Sequence, residues 1–79
     1  MKQGNVVERS ELVIASEVIA VCSHSSLSLD KITKKIYSNS MVKNRFRVFQ
    51  VIEALLKHGV LVPQFKNNCL CFRFNNGDK

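Results

Sequence analysis

The chain has 79 residues, a formal net charge of +6, 46% hydrophobic residues and 23% charged residues. Those values allow one small core, exclude a pair of domains and exclude a chain too polar to fold. No run approaches the ~20 apolar residues that span a bilayer, and the N-terminus lacks the apolar centre of a secretory signal, so a soluble intracellular protein is expected.

Residues 1–9 and 76–79 are expected to be flexible ends around a folded unit at 10–75. Ser10 suits the N-cap of a first helix, with Glu11 in its first turn and Leu12, Ala15, Val18, Ile19 and Cys22 repeating at helical spacing. That helix ends near Cys22, turns Ser16 and Glu17 outward, and carries no basic residue, so its role is packing. The polar run 23–26 is turn material, and Leu27, alone between serines, reads as a one-residue β-bridge. Ser28 caps a short second helix over Leu29 to Tyr37. Leu29, Ile32 and Ile36 share its packing face, and Lys31, Lys34 and Lys35 lie opposite.

Ser38-Asn39-Ser40 then leads into the longest periodic stretch, Met41 to Gly59, with Ser40 as the expected N-cap and Gly59 as the residue beyond the C-cap. Turning 100° per residue groups Met41, Val48, Phe49, Ile52, Leu55 and Leu56 on an apolar side. Lys43, Arg47, Gln50, Ala54 and Lys57 form a polar stripe opposite, with Phe46 and Val51 at its borders. Phe46 is expected to seal the edge of the core; if exposed between Arg45 and Arg47, it would suit stacking on an unpaired base or docking a protein.

After Gly59 the period changes from 3.6 to 2. Val60, Leu61 and Val62 begin a strand that Pro63 restricts to a sheet edge, and Lys66-Asn67-Asn68 supplies turn residues that tolerate left-handed backbone. In the return strand Leu70, Phe72 and Phe74 point one way, and Cys69, Cys71 and Arg73 the other. The reading is α+β: a winged helix-turn-helix with a three-helix core and a C-terminal β-hairpin wing.

Charge is unevenly placed along this order. Residues 1–30 carry two basic residues against Glu8, Glu11, Glu17 and Asp30, whereas residues 31–73 carry nine basic residues against Glu53 alone. Such asymmetry is the footprint of a nucleic-acid-binding face. Lys43, Asn44, Arg45, Arg47 and Gln50 are the candidates for a DNA major groove, since Arg pairs with guanine and Asn or Gln with adenine. Lys31, Lys34 and Lys35 are candidates for flanking phosphates, as is Lys66 at the wing tip.

The long helix and the strand behind it resemble the corresponding part of the DP-type cell-cycle winged-helix transcription factors. The matching positions read Phe46-Arg47-Val48-Phe49-Gln50, followed by Ala54-Leu55-Leu56-Lys57-His58-Gly59-Val60-Leu61. In that family two arginines, an aliphatic residue, a tyrosine and an aspartate stand at the first five. The resemblance implies that Arg47 contacts bases with Val48 as its aliphatic partner, while Phe46, Phe49 and Gln50 depart from the pattern. The family's dimerisation segment has no counterpart in this sequence.

No catalytic constellation stands out. His24 and His58 belong to different elements, and the three glycines form no phosphate loop. Cys22, Cys69 and Cys71 are odd in number and lack the paired C-x₂-C spacing of a zinc site, so reduced thiols, no metal and no cofactor are expected. The expected function is a DNA-binding module of a transcription or chromatin protein in the nucleus. The alternative is a protein-interaction module of a larger assembly, docking through Phe46 and Val51 or through the wing around Cys69 and Cys71. RNA or single-strand binding is disfavoured because no sheet carries a multi-aromatic platform. Neither a membrane nor a small-molecule substrate is expected as a partner.

Overall fold

A computed structural model describes residues 10–76, so the flexible ends expected at 1–9 and 76–79 lie outside the described residues, apart from Asn76. The elements are α1 (Glu11–Cys22), β1 (Leu27–Ser28), α2 (Leu29–Tyr37), α3 (Val42–Lys57), β2 (Leu61–Lys66) and β3 (Cys69–Phe74). They form a small α+β domain in which three helices pack on an antiparallel sheet of order β1-β3-β2. No helix among the described residues is long and apolar enough to cross a membrane.

Local hydrogen bonding explains most of the boundaries. The Ser10 hydroxyl oxygen accepts from the Val13 N–H at 3.2 Å and starts α1. Ser28 serves two elements at once: it pairs with Cys71 in the sheet, and its hydroxyl oxygen accepts from the Lys31 N–H at 3.3 Å. This economy is possible because an N-cap residue needs the same extended backbone as a strand, here φ −76° and ψ 165°. Leu27 therefore belongs to a two-residue strand rather than an isolated bridge. Thr33, fully buried in α2, is accommodated because its hydroxyl donates to the Leu29 carbonyl at 2.8 Å.

The start of α3 departs from expectation. Ser40 donates its hydroxyl to the Asp30 carboxylate of α2, so the cap position falls one residue later, on Met41, whose side chain makes no capping bond. Met41 is 60% exposed and lies outside the apolar side of the helix to which its spacing assigned it. The other end of α3 matches its sequence signature. Gly59 has φ +77°, its N–H donates to Leu56 O at 3.1 Å, and the Val60 N–H donates to Leu55 O at 2.8 Å, a Schellman closure. Val60 is thereby drawn into the helix end, and β2 begins at Leu61.

Asn67 and Asn68, at φ 52° and 63°, make the two-residue type I′ turn of the hairpin. Pro63 sits in β2, which pairs with β3 alone and so forms one edge of the sheet. The register places Leu61 opposite Phe74, Pro63 opposite Phe72 and Phe65 opposite Leu70 on one face. Val62-Arg73, Gln64-Cys71 and Lys66-Cys69 pair on the other. The first face meets the helices.

The core gathers Ile14, Val18 and Cys22 of α1, Leu27, Ile32 and Ile36, then Val48, Val51 and Ile52 of α3, closed by Leu61 and Phe72. Burial pushes the Cys22 thiol up to about 11, which keeps it protonated and unreactive near neutrality. In α1 the expectation for Leu12 is overturned: it is 81% exposed while Ile14 is fully buried. The helix is rotated so that positions 14, 18 and 22, four apart, form the inner line.

Candidate nucleic-acid interface

α3 buries Val48, Val51 and Ile52. At 100° per residue, the opposite side is centred on Phe46, Gln50, Glu53 and Lys57, roughly 50° from the centre of the stripe read from the sequence. Two expectations change as a result. Val51, assigned to a border, is a core residue, and Phe46, assigned to sealing the core, is 60% exposed. Phe49, assigned to the packing side, is also exposed, as is Val42. The physical reason is that α3 carries two apolar lines, and the core has room for one. The line with three aliphatic residues, packed against α1 and α2, turns inward and leaves Val42, Phe46 and Phe49 at spacing i, i+4, i+7 outside.

These three side chains, with Leu29 at the start of α2 and Arg45, line an open apolar groove. A polar cleft is lined by Ser26, Ser28, Lys31, Lys66, Asn67 and Cys69, with Leu27 and Cys71. Leu29 lines the groove and the preceding residue, Ser28, lines the cleft. Sequence reasoning did not place Val42, Leu29 or Phe49 at a functional surface. The signal was present in the second apolar line of α3, but periodicity alone does not say which of two lines is buried.

The candidate polar residues fall into distinct situations. Lys43 and Gln50 are exposed on α3, and Lys31 and Lys66 come together at the polar cleft. Lys34 is exposed and 3.5 Å from Asp30, while Lys35 is exposed on the same helix. Asn44 is half-buried, its amide donating to Asn39 Oδ1 at 2.9 Å, the same oxygen that accepts from the Met41 N–H at 3.0 Å. Arg45 is half-buried with its Nε enclosed and without a hydrogen-bond partner. Arg47 is half-buried at the border of the exposed side.

Asp30 ties α2 to the start of α3. The Ser40 hydroxyl holds its carboxyl below the ordinary range against desolvation, the next largest effect, with the Lys34 ammonium and Arg45 each lowering it by less. On the hairpin the exposed apolar side chains are Phe65 and Leu70, opposite each other near the tip. Around the two cysteines of the other face Cys69 is exposed and Cys71 buried, so the exposed apolar surface of the hairpin lies on the opposite face from the one expected. Among the described residues no group of three His, Cys, Asp or Glu side chains is placed to hold a metal ion.

Compared with protein-family models, curated proteins and solved structures, the chain gives no match.

Proposed function

We propose that the domain is a winged helix that binds double-stranded DNA, α3 entering the major groove and the hairpin serving as the wing against the backbone. The fold part of this reading is supported by the helix order, the sheet order β1-β3-β2 and the hairpin directly after α3. The observation that carries the DNA part is the convergence of cations from separate elements. Lys31 of α2 and Lys66 of the hairpin share one cleft, Arg45 lines the apolar groove of α3, and Lys43 is exposed on the same helix. Phosphate contacts from several elements fix a protein on a duplex, whereas cations scattered over a surface do not. Location with the DNA, in the nucleus where the cell has one, is a corollary.

The test is fluorescence anisotropy with a labelled random-sequence duplex over a range of salt. Binding weakens steeply as salt rises, and replacing Lys43 and Lys66 together by Ala lowers the slope of log K against log salt by about 2, close to one counterion per phosphate contact. An unchanged slope in the double variant refutes the proposal. A second reading, a protein-interaction module, is favoured by the exposure of Val42, Phe46, Phe49 and of Phe65 with Leu70. It entails binding with little dependence on salt.

A further inference from the structure

The same face has a chemical peculiarity: of the polar side chains that would read bases, Asn44, Arg45 and Arg47 are partly withdrawn while Lys43 and Gln50 stay exposed, and apolar side chains stand beside them. Asn44 spends its amide on Asn39, Arg45 is half-enclosed against α2, and Arg47 is half-buried. Val42 at 71% and Phe46 at 60% exposed instead project from the N-terminal half of α3, beside Phe49. In the major groove the apolar group a base pair offers is the 5-methyl of thymine, and Phe is among the side chains suited to it. We propose that the Val42-Phe46-Phe49 groove reads thymine methyl groups, so that the domain prefers duplex sites with thymine beneath the first two turns of α3. The inference rests on the DNA-binding reading above and names what that surface would select.

Charge decides in favour of this occupant. The groove has Arg45 as its charged wall, and Lys43 is exposed on the same turn of α3. A second apolar concavity, between α1 and α3, has Glu11 as its charged wall beside Leu12, Ala15, Val51 and Leu55. Two apolar hollows of opposite electrostatic surroundings suit different partners, and only the first is edged for a polyanion. Glu53 lies on the same exposed side of α3 but towards its C-terminal half. That half of α3 holds Glu53 along with exposed Lys57, whereas the N-terminal half carries Lys43 with no acidic residue.

The experiment removes the methyl and nothing else. Duplexes are enriched from a random pool by binding to the full chain, then resynthesised with uracil in place of thymine and compared by anisotropy. Enriched duplexes share thymine at a common position, and uracil there weakens binding about fourfold per methyl lost, the weight of one buried CH₂. Phe46→Ala removes the thymine preference, bringing thymine and uracil duplexes to equal affinity at an unchanged salt slope, and Phe46→Leu retains the preference. Because Phe46 is largely outside the core, both variants fold, which circular dichroism verifies. Equal, salt-dependent binding of thymine and uracil duplexes overturns the inference while leaving the DNA reading intact, as does enrichment of duplexes without a shared thymine. Absence of duplex binding refutes both.

Discussion

The uncapped start of α3 makes a quantitative prediction. Met41 has φ −66° and ψ 147°, close to the geometry of Ser10 (−70°, 160°) and Ser28 (−76°, 165°), whose hydroxyls each accept from the N–H three residues on. In Met41→Ser the new oxygen should meet the Asn44 N–H in the same way, whereas Met41→Ala offers nothing. Met41 is 60% exposed, so removing its side chain costs at most about 1 kcal/mol of burial, a loss common to both variants. Their difference isolates the cap, which is worth about 1 kcal/mol. In a domain of this size that corresponds to thermal midpoints roughly 4–8 °C apart. Thermal unfolding followed by circular dichroism reads the gap directly. Equal midpoints for the Ser and Ala variants would refute the reasoning, because the first-turn amides of α3 would then already be satisfied. Met41→Asp adds a functional arm: its stability follows Met41→Ser, while under the proposed DNA binding its carboxylate at the start of α3 weakens duplex binding.

Two further outcomes test the local chemistry. A Cβ at Gly59 would meet nothing within 4 Å, so Gly59→Ala pays only for its left-handed backbone, about 1 kcal/mol, seen in urea unfolding as a lower midpoint at unchanged slope. Asp30 has a depressed carboxyl in the folded state, so its contribution is present above the ordinary carboxylate range and is lost as pH falls through the folded value. A carboxyl titration by NMR should place Asp30 below other aspartates and move it upward in Ser40→Ala; no movement would show that the hydroxyl is not the cause.

What could be read from residues alone was whatever local hydrogen bonding decides. Ser10 and Ser28 begin their helices, Gly59 ends α3, and Asn67-Asn68 turns the hairpin, because each acts on backbone groups within a few residues. The rotation of the helices about their own axes was not legible. α1 is apolar nearly all round, with Leu12, Val13, Ile14, Ala15, Val18, Ile19, Ala20 and Val21, so nothing in it singles out Ile14 over Leu12. In α3 the choice between two apolar lines is made by what α1 and α2 present to it. The Ser40 cap failed for a related reason: Asp30, ten residues earlier, claims the hydroxyl first. Of the candidate site, the exposure of Lys31, Lys43 and Lys66 followed from charge and turn chemistry. The apolar centre of the face did not.

The two-residue strand β1 pairs with Phe72 and Cys71 in the middle of the sheet, so the first half of the chain is stitched to its last strand. During synthesis the three helices can form and collapse early, but Leu27 has no ladder partner until residues 71–72 have left the ribosome. Completion of the domain therefore waits on its C-terminal segment, and a nascent chain arrested within the hairpin would present its half-built interior to chaperones.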